Sequence, residues 1–279
     1  MAEPVNFLLV LPWLLGWALT LVWFWRRGVI GPRARLVASA GPISPLDGLV
    51  AILLVIGGST AFGLVVQQLG LNAESSSNLT KALLIPAGQF AFLGIAGLYG
   101  LVVMMQGAKN AAPTVHHLLL ITAGGCVATI TLGQGTVVVI AWIGSLLGFE
   151  APTIAHKGLV EIIAASEPLV LTIRLASALL LAPVFEELVF RGIIQRAIHS
   201  AIGSIWPSLI LTSLFFGLVH ASLVPLQGLP GLVVLGVIFG WLYARTRRLW
   251  VAIVAHVVFN AFNVAMAFIF YAASVPPAS

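Results

Sequence analysis

Apolar runs of about twenty residues follow one another along almost the whole chain, a pattern that membranes accommodate and soluble cores do not. They fall at 6–25, 47–70, 82–105, 118–147, 170–196, 206–224, 229–244 and 250–272. A helix of roughly 20 residues crosses about 30 Å of hydrocarbon. Within lipid the backbone must satisfy its own hydrogen bonds, so runs of this length become helices. The expected fold class is all-α, a polytopic membrane helical bundle of about eight transmembrane helices. The fourth and fifth runs exceed one crossing and predict tilt, a kink or an interfacial extension. The seventh is short and begins near Pro230. Composition agrees, with 60% hydrophobic and 8% charged residues among 279 and a mean hydropathy of +1.11.

The net charge of +5 reads as a topology signal and not as an affinity for nucleic acid. Arg26, Arg27, Arg33 and Arg35 follow the first run, Lys109 the third, Arg196 the fifth, and Arg245, Arg247 and Arg248 the seventh. The alternate connections hold only Lys81, Lys157 and Arg174, beside Glu74, Glu150, Glu161 and Glu167. The positive-inside rule then predicts both termini outside the cytoplasm, in a plasma (cytoplasmic) membrane, with the lipid bilayer as a partner. Met1-Ala2-Glu3-Pro4 lacks a basic n-region, and a cleavable signal peptide is not expected. Cys126 is the single cysteine, which excludes an intrachain disulfide framework and a multi-cysteine metal site.

Residues 1–165 are expected to form membrane helices without a recognisable motif. Residues 166–272 form the helical core that carries the chemistry, and 273–279 a disordered tail. Asn72 to Asn78 reads as an exposed loop, and 149–168, with Pro152, His156 and Lys157, as a polar connection or short surface helix.

Three polar clusters interrupt the C-terminal apolar runs. Glu186, Glu187 and Arg191 lie together, and a charged side chain at mid-membrane costs roughly 2.5–3.5 kcal/mol even on lenient scales. Glu187 and Arg191 are four apart and can pair on one helical face. Glu186, about 100° around the helix, is then free for other work. His220 stands alone in the sixth run, with Phe216 one turn earlier on the same face. His256 and Asn260 share a face of the last run, and Asn263 lies another turn along it. Each cluster also has a bland reading, as a structural salt bridge, a packing histidine or hydrogen-bonding glue between helices. Their depths favour the shared one. At 1.5 Å per residue from the cytoplasmic ends, Glu186, His220, His256 and Asn260 fall about 15, 20, 12 and 18 Å deep.

Carboxylates, imidazoles and an amide at one level suit two kinds of chemistry. A glutamate can take a proton from water while donors stabilise an oxyanion. Alternatively Glu186, His220 and His256 can ligate a divalent metal that activates the water. No His-Glu-x-x-His or Gly-x-Ser-x-Gly motif occurs, and Asp47 is the only aspartate. These absences argue against a zinc-helix protease, serine catalysis and a paired-aspartate mechanism.

The order Glu-Glu-x-x-x-Arg, Phe-x-x-x-His, His-x-x-x-Asn resembles the CPBP family, which groups CAAX prenyl proteases with bacteriocin-processing and immunity proteins. Phe185 to Gly192 resembles its first motif, Leu214 to Ala221 its second, and Gly236 to Asn260 the approach to its last, over about 170–265. The resemblance implies an intramembrane glutamic endopeptidase without a metal cofactor, acting on a membrane protein or lipidated, CAAX-type peptide. It implies that Glu186, assisted by His220, activates the water. His256 and Asn260 would form the oxyanion hole, with Glu187 and Arg191 holding the first motif in place. A non-catalytic scaffold, immunity or regulatory protein of the same family is the alternative. A proton-relay transporter would show inverted repeats, and none is visible.

Overall fold

The computed structural model describes residues 7–26, 43–71, 77–88, 94, 115–149 and 156–274. Most of the third apolar run, the loop 72–76, several of the loop charges and the tail 275–279 lie outside the described residues. Nine helices are described: α1 (Phe7–Arg26), α2 (Pro45–Gln68), α3 (Asn78–Gly88), α4 (Val115–Leu146), α5 (Lys157–Ile163), α6 (Pro168–Ile202), α7 (Ile205–Val219), α8 (Leu229–Thr246) and α9 (Leu249–Ser274). No strand occurs among the described residues. Where about eight spans were expected, five helices (α2, α4, α6, α8 and α9) are long and apolar enough to cross a membrane, and two shorter apolar segments lie in α1 and α7. The fold is thus a polytopic helical bundle.

The two overlong runs are resolved by π turns. The helix α4 contains one at Thr129–Gln134, and α6 contains two, at Ser177–Leu181 and Phe190–Ile194. Each absorbs surplus length without breaking the helix. The helix α6 continues through Pro183, immediately after its first π turn.

The helix α8 is the axis of the bundle, which explains how so short a run is accommodated. It packs against α4, α7 and α9, and most of its residues from Leu235 to Thr246 are buried. A core of Leu118, Ala128, Leu132, Leu235, Phe239, Leu242 and Val251 joins α4, α8 and α9. A second core, with Val55, Phe190, Ile194 and Phe216, joins α2, α6 and α7. Leu8, Leu19, Leu53, Leu119, Leu180 and Ile269 are exposed on the outside, as lipid-facing residues should be.

Small residues set how closely α7 and α8 approach. A Cβ on Gly236 would lie 2.8 Å from the Ser213 Cβ and 2.9 Å from its Cα. Only a glycine admits that contact, the usual device where no hydrophobic drive brings helices together. Asp47 has a local role: with Ser44 it forms a capping box at the start of α2.

Candidate active site

The helix α6 delivers Glu186 and Glu187 between its two π turns, where the side chains meet α7, α8 and α9. Glu187 and Arg191 are both fully buried. The expected pair forms, with Arg191 Nη1 donating to Glu187 Oε1 at 3.1 Å. Arg191 Nη2 also donates to the Gly236 carbonyl at 3.0 Å, tying α6 to α8. Its guanidinium lies 4.9 Å from the Phe216 ring and 5.3 Å from that of Phe239, within cation–π range. A buried ion pair needs such additional partners to offset its desolvation.

Glu187 has a further partner that sequence spacing did not suggest. Its Oε1 accepts from His256 Nδ1 at 2.9 Å, across 69 residues of chain. Phe239 stacks on that imidazole at 4.6 Å and 17°. One carboxylate therefore fixes both Arg191 and His256.

His220 is not inside the sixth span as expected. The α7 helix ends at Val219, and His220 opens a turn in which Leu223 N–H bonds to its carbonyl. This turn satisfies the backbone, so the apolar residues Leu223 and Val224 continue the run without continuing the helix. His220 Nδ1 lies 2.7 Å from the Phe216 carbonyl, and the Phe216 ring is 4.7 Å from the imidazole.

These contacts decide where the protons sit. The Phe216 carbonyl can only accept, and Glu187, already accepting from Arg191, is the acceptor for His256. Both histidines thus carry a proton on Nδ1, which leaves Nε2 a lone-pair atom in each neutral ring. The two Nε2 atoms converge on one oxygen, Glu186 Oε2, at 3.8 Å for His220 and 3.9 Å for His256. That oxygen is buried and has no hydrogen-bond partner. The two Nε2 atoms and the carboxylate oxygen thus face one point at separations just beyond direct hydrogen-bonding reach.

Asn260 sits one turn beyond His256 and donates through Nδ2 to the Ala178 carbonyl of α6 at 2.8 Å. This uses one of its two amide hydrogens. Asn263 bonds to the Phe259 carbonyl of its own helix. Among the described residues, no group of three His, Cys, Asp or Glu side chains is arranged to hold a metal ion.

The expected connection at 149–168 does contain a short helix, α5, and it reaches the site. Lys157 N–H bonds to the Leu223 carbonyl at 3.0 Å and Lys157 Nζ to the Ser222 carbonyl at 2.8 Å, in the turn that begins at His220. His156 precedes α5, outside the membrane-spanning helices. Burial pushes its imidazole below the usual histidine range; His220 adds to the shift, and the Glu186 charge opposes it. Such coupling places His156 within electrostatic range of the catalytic candidates.

The molecule is therefore a helical membrane protein built around a buried acid–imidazole centre. Residues 168–262, which contain every motif residue named above, match the family model described as Type II CAAX prenyl endopeptidase Rce1-like. The chain is also 40% identical over 87 residues to the "Putative membrane peptidase YdiL" of Bacillus subtilis (strain 168), a stretch of 31% of this chain and 34% of that relative. Through this segment the chain is similar to type II CAAX prenyl endopeptidases and to that membrane peptidase. The match thus spans about a third of that relative's length. No solved structure matches the chain.

Proposed function

We propose that this protein is an intramembrane glutamic endopeptidase in which Glu186 activates the attacking water. The observation that carries this reading is the convergence of two histidine Nε2 atoms on the unpartnered Glu186 Oε2. Water set among these atoms gives a proton to the carboxylate, and its oxygen forms a bond to the peptide carbonyl carbon. The carbonyl π electrons move onto oxygen, where the second Asn260 N–H meets the developing charge. His256 joins as a donor in its imidazolium form, with a proton taken from solvent before the attack and kept through the cycle. Collapse breaks the C–N bond, and Glu186 with His220 returns the proton to the leaving amine. Glu187 and Arg191 do not react; they hold His256 and α6 in register.

The substrate is a membrane protein or lipidated peptide of CAAX type, presented at the cytoplasmic half of the bilayer, with both termini of the protein on the other side. The family match supports a peptide substrate, and the basic ends of α6 and α8 support that orientation.

The test is turnover of a fluorogenic prenylated CAAX peptide and its unprenylated counterpart by purified protein in lipid, with and without a chelator. Glu186→Gln should lose about 10²–10⁴-fold in kcat, the range for removing a general base, and His220→Ala should also be severely impaired. Activity that survives chelation in the wild type but vanishes in both variants supports the metal-free mechanism. Undiminished cleavage by Glu186→Gln would sink it. Turnover of neither peptide, with a cellular phenotype untouched by Glu186→Gln, would favour the scaffold alternative.

A further inference from the structure

We infer that Pro183 is a positioning residue that aims the Asn260 amide by leaving the Ala178 carbonyl to hold it. This deepens the peptidase reading above and rests on it for its turnover arm. In a helix the carbonyl of residue i takes the N–H of i+4, and in a π turn that of i+5. Over Ser177–Leu181 the helix is in the π register, and Ala182 N–H reaches back to the Ser177 carbonyl. The next donor in that register would come from position 183 and would close on Ala178. Proline has no N–H.

The Ala178 carbonyl therefore lacks its π-register donor inside a membrane helix, where an unmet carbonyl is expensive. Asn260 of α9 supplies the missing hydrogen at 2.8 Å. A carboxamide is planar, so anchoring one N–H fixes the direction of the other. The anchor lies in the same helix as Glu186, three residues before which stands Pro183. One proline thus ties the oxyanion donor to the helix that carries the base. Side-chain spacing gives no sign of the partner, since the acceptor is a backbone atom and Ala178 carries no polar side chain.

The experiment compares wild type, Pro183→Ala, Asn260→Ala and the double variant, by turnover of the prenylated peptide and by thermal melting in lipid. Pro183→Ala returns an N–H to the Ala178 carbonyl and releases the amide. Its kcat should fall about tenfold with KM unchanged, because a misaimed donor costs rate and not affinity. Its melting temperature should hold or rise, since alanine is the better helix former. A merely structural proline would lower both together.

Melting alone judges the clamp without any substrate. Asn260→Ala should lower the melting temperature of the wild type, by baring the carbonyl, and leave that of Pro183→Ala unchanged. An equal penalty in both backgrounds overturns the inference, as does an unchanged kcat in Pro183→Ala. If Glu186→Gln cleaves like the wild type, the glutamate mechanism fails, while the melting cycle still decides the clamp.

Discussion

The helices α1 and α4 and the helices α6 to α9 are equally apolar to the eye, yet they handle polar groups in opposite ways. In the first pair the hydrogen bonds come from neutral side chains and mostly turn back on their own helix. Thr122 bonds to the Leu118 carbonyl and Thr136 to that of Leu132. Where α1 and α4 do meet, they use Thr20 against Thr131 at 2.9 Å and Trp17 to the Leu132 carbonyl at 3.2 Å. In the second group charged, imidazole and amide side chains cross between helices, through Arg191 to Gly236, His256 to Glu187 and Asn260 to Ala178. A hydroxyl that returns to its own backbone stabilises one helix and specifies no neighbour. A crossing bond specifies two helices at once, and a site assembled from several helices requires that.

That contrast predicts a ranked set of mutational effects. The largest belongs to Arg191→Ala, which leaves Glu187 charged and buried; we expect about 3–5 kcal/mol of lost stability, measured by unfolding in mixed micelles. A loss under about 1 kcal/mol would show that the crossing bonds do not hold the bundle. Gly236→Ala comes next, at about 1–3 kcal/mol, because its Cβ meets the Ser213 backbone and the neighbouring helix must give way. Gly63→Ala in α2 is the counterpart: nothing lies within 4 Å of that Cβ, and the better helix former should gain roughly 0.5–1 kcal/mol. Equal behaviour of the two glycine variants would erase the difference in packing. Smallest is Thr20→Val, whose lost bond to Thr131 should cost about 0.6 kcal/mol, the average for polar contacts between membrane helices.

The sequence made the local part of this picture legible. Hydropathy placed most of the helices to within a few residues, and four-residue spacing correctly paired Glu187 with Arg191 and set Phe216 beside His220. Nothing in spacing links Glu187 to His256, because their meeting depends on how α6 and α9 pack. Nor does hydropathy mark where α7 ends, since a turn whose backbone is internally bonded tolerates the same apolar residues as a helix. The π turns were foreshadowed only as excess length. Their position follows from packing, except at Pro183, whose missing donor could have signalled an unmet carbonyl five residues back.

The paired π turns of α6 carry one more consequence. Each holds one residue beyond the count of a regular helix, and each surplus residue rotates the remainder of the helix by about 100°. Deleting a residue from Ser177–Leu181, or one other than Arg191 from Phe190–Ile194, would leave Glu186, Glu187 and Arg191 all present. It would nonetheless swing the carboxylates away from one or more of their partners on α7, α8 and α9. The acid–imidazole centre is therefore encoded in the number of residues in α6 as firmly as in their identity. A family member that keeps every motif letter but is one residue shorter there should be an inert protein with an intact signature.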